Sequence, residues 1–532
     1  MADEVLAGEK WIRRILLFSA VLLSIKYILV DFGVDAEYQV SMAYRLAKGD
    51  VMFREMWEPH QMSAFLCALL MKIYMAVFHT TTGIVVYLQA VGVLIDGLVS
   101  WAVYKTVRRF QVGRNTAFVM AWLFFIVSPK DVPLPEFANM QLWFSMLMCV
   151  CLLAYQLEGR KRSLILAALC LCGAVLSYPP CMILLVSVFI WLKKTQAKRS
   201  DYILFLSVCV CAGLAYLAMI FCHMTLESFL ATVQGIMGID ITHGAGNGTN
   251  LWRYLKQIAV IVSELAIAYG LARAGAWIWA REDRKYRTDM LFFMIVLAYA
   301  FYTTIRWQHF IRYDYSVLFV AVIVIGLRYV RELSEGERRI YLCGMLVSAA
   351  DFIATVLMTD LDLVGSIPYL LIGAVVSVLP IAKGLEHVEK DRLGRGLRTA
   401  VLWGGMFFMV FRNVYIIRPL FCYGQVDSCF EIGGIVKRGP AFGLVTDYMG
   451  AYMQNVSYEE WEEYVPDGST VLLVGDPLDT LGYLYKDVNI SVPSVISTPG
   501  YNDFMLEYWE MNPDRYPDIV IVACWYGELK VD

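Results

Sequence analysis

The sequence predicts a polytopic α-helical membrane protein with a small external α/β domain at its C-terminal end. Three observations predict it. Of 532 residues, 59% are hydrophobic and only 17% charged, against roughly half and a quarter in an average soluble protein. The apolar residues gather in runs near the length of about 20 that a spanning helix needs, and the runs stop near residue 416. Lysines and arginines collect on alternate loops between the runs, the sidedness expected of cytoplasmic loops. These features exclude a soluble enzyme and a disordered chain. A net charge of −3 with no basic block excludes a nucleic-acid binder. Most of the 13 cysteines, Cys67 to Cys343, lie inside apolar runs and behave as small hydrophobes rather than as a disulfide scaffold.

Thirteen spans are expected, near 12–30, 82–106, 114–128, 140–156, 163–177, 181–193, 202–221, 254–279, 288–304, 315–331, 339–358, 366–382 and 397–416. The first follows Lys10, Arg13 and Arg14 and lacks a small-residue cleavage site, so it reads as an anchor. One further run, 62–78, is apolar enough to span. Letting it cross would put every later basic loop outside, so it is expected to lie at the interface or re-enter, with Lys72 snorkelling. The N-terminus is then cytoplasmic, and the loop at 31–62 and residues 420–532 are external. The division is a transmembrane part at 1–419 and an external soluble part at 420–532, in a plasma membrane, most simply a bacterial one.

The outer loops carry the chemistry-bearing residues. Asp31, Asp35, Glu37, Asp50, Glu55 and Glu58 crowd the first of them, and His60, His79, His223, His243 and His309 all fall on the outer side. A helical stretch from Tyr38 to Lys48 ends at Gly49-Asp50, and Trp57-Glu58-Pro59-His60-Gln61 opens the interfacial helix. Two short helices at the membrane surface would hold Asp35 and Glu58 at fixed depth, where partial desolvation makes a carboxylate a better base. The two short spans joined by Tyr178-Pro179-Pro180 should leave a recess beneath the outer surface. Asp96, Glu264 and Asp351 are intramembrane acids that are equally well read as structural polar contacts. In the tail, strand-like runs at 471–474 and 519–523 flank a helix at 504–509. Cys422 and Cys429 are close enough in sequence to pair.

The order of these parts resembles the GT-C fold glycosyltransferases, the polyprenyl-phosphate-sugar-dependent enzymes that include protein O-mannosyltransferases and lipid A aminoarabinose transferases. The resemblance rests on Asp35-Ala-Glu37-Tyr38 after the first span, then Glu58-Pro59-His60-Gln61 and a juxtamembrane helix. It continues with Pro133-Leu-Pro-Glu136-Phe-Ala-Asn139, with Tyr178-Pro-Pro180, and with the segment Arg306 to Tyr313 entering a late span. It implies a sugar moved from a polyprenyl-phosphate donor to an external glycan, lipid or protein, with Asp35 as base and Glu37 and Glu58 beside it. Donor and acceptor binding would fall to His60, Gln61, Lys130, Glu136, Tyr178, Arg306, His309, Arg312 and Tyr313. No cofactor is certain; if a divalent metal takes part, Glu58, His60 and His309 are its candidate ligands. The chain departs from the family where relatives often carry lysines: Pro59-His60 and Tyr178-Pro-Pro stand instead, so His60, Lys130 or Arg312 would have to hold the phosphate. A lipid-linked sugar flippase or secondary transporter, or a non-catalytic envelope scaffold, are the rival readings. A transporter would be expected to show inverted repeats and paired broken helices with midplane charges; no internal repeat is seen, and the polar cluster lies at one face rather than the midplane.

Overall fold

The computed structural model describes residues 10–128, 131–241, 247–279, 284–306, 313–358, 363–388, 392–418, 427–475, 477–495 and 504–523. Each of the thirteen expected spans falls on a helix. In chain order the helices are α1 (Lys10–Leu29), α2 (Val34–Lys48), α3 (Ala64–Phe78), α4 (Ile84–Arg109), α5 (Arg114–Ile126) and α6 (Phe137–Glu158). Then come α7 (Lys161–Ser177), α8 (Leu184–Lys194), α9 (Arg199–Phe221), α10 (Leu226–Ile241), α11 (Asn247–Trp279) and α12 (Arg284–Arg306). The last of the bundle are α13 (Tyr313–Tyr329), α14 (Glu335–Met358), α15 (Leu371–Val388) and α16 (Arg392–Tyr415).

Among the described residues, eight helices are long and apolar enough to cross a membrane, or nine if a bent pair counts as one span. Their outward faces are apolar: Leu214 on α9 is 61% exposed and Ile267 on α11 is 65% exposed. Such surface is costly against water and cost-free against lipid tails.

The bend in that pair turns the chain toward the C-terminal region. α1 and α2 meet at an angle of 64°, so α2 turns off the direction of the first span. It ends on Gly49, whose φ of 118° gives the left-handed cap that a side chain disfavours. α3 belongs to the candidates that could cross by composition, yet its flanks are both tied to the C-terminal region. Before it, the Trp57 N–H donates to the Pro493 carbonyl at 2.8 Å. After it, the Thr81 hydroxyl donates to the Leu484 carbonyl at 2.8 Å. A 15-residue helix held at both ends by one small region runs along that region instead of away from it.

The C-terminal region is built on a three-stranded parallel sheet of order β6-β5-β7, with β5 (Thr470–Gly475) between β6 (Asn489–Ile490) and β7 (Ile519–Ala523). Two helices accompany it, α17 (Tyr448–Tyr464) and α18 (Met505–Met511). The apolar interior divides in two. One core runs through the bundle from Ile12 to Met409. The other joins Phe32, Tyr38, Met42 and Tyr44 of the α2 segment and Cys67 and Met71 of α3 to Val471, Leu481 and Ile490 of the tail. The tail therefore shares its core with the α2–α3 segment.

Candidate functional site

α2 starts at Val34, earlier than the sequence suggested, and this places Asp35 and Glu37 in its first turn. There the unpaired backbone N–H groups favour negative charge. Asp35 is half-buried and Glu37 fully buried. Asp35 and Tyr38 are three residues apart on one helix and therefore share a face. The Tyr38 ring meets His60 edge-on, with centroids 6.3 Å apart. His60 in turn stacks on Phe137, centroids 4.3 Å apart and 7° from parallel, and lies 6.0 Å from the Tyr178 ring. Phe137 opens α6 directly after Glu136, the buried N-cap residue. Four segments of the sequence, at 35–38, 58–61, 136–139 and 178–180, thus converge on one place.

Several devices hold them there. The Gln39 side chain both donates to the Ser63 carbonyl and accepts from the Ser63 hydroxyl, fixing the approach to α3 against α2. Gln61 Oε1 accepts from the N–H of Phe53 at 3.0 Å. Phe53 has a φ of 64°, so this bond steadies a turn that an aromatic residue resists. On the α6 side, Asn139 bridges the preceding loop, accepting from Ser128 at 2.7 Å and donating to the Val132 and Leu134 carbonyls. That loop crosses α4 over Gly92, where a Cβ would lie 1.4 Å from the Pro133 carbonyl oxygen. Only glycine fits there.

Glu58 stands differently. It is wholly buried, and its oxygens accept from the Ser494 hydroxyl at 2.5 Å and the Val495 N–H at 2.8 Å, with Arg45 at 3.3 Å. Burial raises its pKa, and Arg45, Ser494, Val495 and Tyr38 each pull it back. Arg45 is the hub of this network. Its guanidinium also meets Asp50 at 2.9 Å, the Val492 and Pro493 carbonyls, and the Glu55 carbonyl. Asp50 is shared with Arg515 at 2.7 Å. The bonds to Val492, Pro493, Ser494, Val495 and Arg515 join the segment between α1 and α3 to the tail, and those to Asp50 and Glu55 brace the segment itself, so Glu58 sits in a clamp between the two.

A second polar cluster lies where α1 and α16 end. Lys26 pairs with Asp31, and the backbone N–H of Arg418 donates to Asp31 at 2.9 Å. Asp131 is gripped by both terminal nitrogens of Arg412, with Arg418 at 3.7 Å. Burial raises Asp31 to about 6 despite Lys26 and the Arg418 N–H. Burial would lift Asp131 likewise, but Arg412 and Arg418 outweigh it and leave the carboxyl below its usual range.

The remaining expected residues are spread out. Arg306 ends α12 and is exposed, and Tyr313 begins α13. Lys130, His309, Arg312 and Cys422 lie outside the described residues. The intramembrane acids have structural partners: Asp96 accepts from the Trp143 indole, Glu264 from Tyr299, and Asp351 from Ser145. Among the described residues, no three His, Cys, Asp or Glu side chains gather to hold a metal ion. Sequence reasoning missed the roles of Arg45, Arg412 and Arg418: Arg412 and Arg418 reach Asp131 from nearly three hundred positions away, and Arg45 meets the Val492 and Pro493 carbonyls as well as Asp50 and Glu58 of its own segment. It also missed α10, which packs Gly235 against Trp57 and Phe229 against Phe53 at 5.0 Å.

No family model matches the sequence, and no curated protein matches it significantly. Solved structures do match. Over 95% of its length the chain is similar to the archaeal oligosaccharyltransferase AglB from Archaeoglobus fulgidus, solved in complex with an inhibitory peptide and a dolichol-phosphate. The TM-score is 0.46, the identity 12%, and 69% of that chain is covered. An Archaeoglobus fulgidus oligosaccharyltransferase in complex with zinc and sulfate matches over 89% of this chain, with a TM-score of 0.45 and 11% identity. The chain spans 62% of that protein's length. At these TM-scores and identities the likeness carries no argument, and the chemistry has to come from this chain's own side chains.

Proposed function

We propose that the chain is an integral membrane glycosyltransferase of the GT-C type, moving a sugar from a polyprenyl-phosphate donor to an acceptor outside the membrane. The reading includes thirteen crossings, a cytoplasmic N-terminus, and α2, α3 and the tail together on the outer side. The observation that carries it is the convergence of the acid-bearing first turn of α2 with His60, Phe137 and Tyr178. Four short motifs, scattered over more than a hundred residues and each weak alone, meet at one surface.

In this reading Asp35 is the general base. Its carboxylate takes the proton from an acceptor hydroxyl, and that oxygen attacks the anomeric carbon. The bond from that carbon to the phosphate oxygen breaks, and polyprenyl phosphate leaves with the electron pair. A single displacement of this kind inverts the anomeric centre. The aromatic faces of His60, Phe137 and Tyr178 suit the apolar face of a sugar ring, and the buried carboxyls of Glu37 and Glu136 suit its hydroxyls. Glu58, with both oxygens engaged, acts by positioning the loop.

The test uses purified full-length protein and a panel of labelled polyprenyl-phosphate sugars. Wild type is expected to release polyprenyl phosphate from at least one of them. Asp35→Asn should lower that release by about 10²–10⁴-fold, the usual contribution of a positioned base, with membrane insertion and melting temperature unchanged. Movement of intact lipid across the bilayer without release would instead favour a flippase, and neither would favour a scaffold.

A further inference from the structure

One unit of the C-terminal region leaves large apolar side chains bare. β3 (Ile432–Ile435) and β4 (Val445–Asp447) pair as an antiparallel hairpin, with an irregularity between Ile432 and Gly434. This bulge turns Gly433 and Gly434 to one face, where α17 packs. A Cβ on Gly433 would lie 3.2 Å from that of Tyr448, and one on Gly434 would collide with that of Ala451. Ile432 and Ile435 therefore share the opposite face, and both are exposed. Phe430, 82% exposed, precedes the hairpin. Phe442 stands bare at its turn, beside the exposed Lys437 and Arg438. Single exposed apolar residues need no explanation, but a patch gathered on one unit marks a contact surface.

The hairpin lies where spanning helices end. At its turn the Gly83 and Val85 N–H groups, entering α4, donate to the Gly439 and Pro440 carbonyls, each at 3.1 Å. At its base the Phe430 ring comes within 6.3 Å of the ring of Tyr415, the last residue of α16. α1 packs against both α4 and α16, and Lys26 in its last turn donates to the Ile416 carbonyl just beyond α16 at 2.7 Å. The hairpin is thus tied to helix ends on either side of α1. Along their lengths α1 and α16 turn Phe18, Leu22, Ile25, Phe407 and Val414 outward, a surface that acyl chains cover in an integral membrane protein. The bare face of the hairpin continues that surface past the helix ends. This is the depth at which headgroups begin and aromatic and basic side chains anchor a protein.

We propose that the bare face of the β3–β4 hairpin rests in the headgroup layer of the bilayer, with Phe430, Ile432, Ile435 and Phe442 against lipid and Lys437 and Arg438 at the level of the phosphates. The choice of lipid over a protein partner rests on continuity, since the patch extends the lipid-facing surface of two spans. Arg438 also meets Glu459 of α17 at 3.4 Å, which ties the helix on the other face to the same turn. Because the tail shares its core with the α2–α3 segment, this contact sets the depth at which that segment lies. The proposal needs the membrane embedding alone and is independent of the transfer reaction.

The test uses purified full-length protein in vesicles of phosphatidylcholine and phosphatidylglycerol that contain a photoactivatable phosphatidylcholine, with labelled residues located by peptide mass spectrometry. A diazirine at the headgroup should label 430–442. A diazirine at the end of the acyl chain should label 18–25 and spare the hairpin. Leu506 of α18, 67% exposed, is a comparably bare apolar side chain of the tail and should be labelled by neither. Phe430→Ser and, independently, Ile435→Thr should lower the melting temperature in these vesicles by a few degrees, since each removes apolar surface that lipid covers. Leu506→Ser should leave it unchanged. A hairpin unlabelled by the headgroup probe while α1 is labelled by the acyl-chain probe would overturn the proposal, and so would equal labelling of Leu506. Melting temperatures unmoved by both hairpin variants would overturn it as well, because such changes are near neutral on a face that meets water. None of these readouts involves release of polyprenyl phosphate, so the transfer reading stands or falls separately.

Discussion

Asp35 and Glu58 are acids of the same segment between α1 and α3, yet the protein treats them in opposite ways. Glu58 is fully buried, with both oxygens bonded to the tail and a buried arginine beside it. Asp35 stays half-exposed on the first turn of α2, on the face that looks toward the His60 stack. In the proposed reading the difference separates structure from chemistry. A carboxylate buried between two regions holds them together, while the proton transfer is assigned to the one left half-exposed on the first turn of a helix.

The comparison can be broken most forcefully at Arg45. Leaving one charge of a buried pair alone costs about 3–5 kcal/mol, so Glu58→Gln or Arg45→Met should lower the melting temperature and expose the tail to limited proteolysis. The double variant Arg45→Met, Glu58→Leu should recover part of that loss, since no unpaired charge remains. A tail that stays protease-resistant in Arg45→Met would contradict the clamp.

Gly92→Ala probes the other wall of the site. A methyl group there would collide with the Pro133 carbonyl, so the loop leading to Glu136 and Phe137 must shift. Overpacking of this kind costs about 1–3 kcal/mol, and the expected outcome is a lower melting temperature with loss of transfer. Gly213→Ala, a helical glycine where a Cβ meets nothing within 4 Å, is the control.

The smallest effect concerns pH. Asp31 is lifted from 3.8 to about 6 by burial. Between those values the folded protein keeps a proton that the unfolded chain releases. The contribution is therefore fully present below pH 3.8 and is lost as pH rises through about 6. Asp31→Asn should match wild type near pH 4 and be the more stable protein at pH 7, by up to about 3 kcal/mol. Melting curves at the two values check the sign; a variant less stable than wild type at pH 7 would show that the Lys26 pair outweighs burial.

What was legible in the sequence follows from range. The helices of the bundle announce themselves by runs of apolar residues, and Tyr178-Pro179-Pro180 marks its own break between α7 and α8. The acids between Asp31 and Glu58 were visible as a cluster. Their division of labour was not, because it depends on Ser494 and Val495, more than four hundred positions from Glu58. The start of α2 at Val34 was missed because Gly33 caps it without a side-chain hydrogen bond to signal the boundary. Helix α10 was missed because it is too short and too polar at its start to read as a span, and its partners Trp57 and Phe53 are distant in sequence. The tail's strands at β5 and β7 were read from their β-branched runs, whereas α17, with mixed polarity, gave no clear period.

The central claim is that Asp35 does chemistry and Glu58 does not, and one side-by-side measurement tests it. Polyprenyl phosphate release is followed for Asp35→Asn and Glu58→Gln at a temperature where both remain folded. The account predicts that the first is silent with the stability of wild type and the second still turns over. Release at the wild-type rate by Asp35→Asn would contradict it.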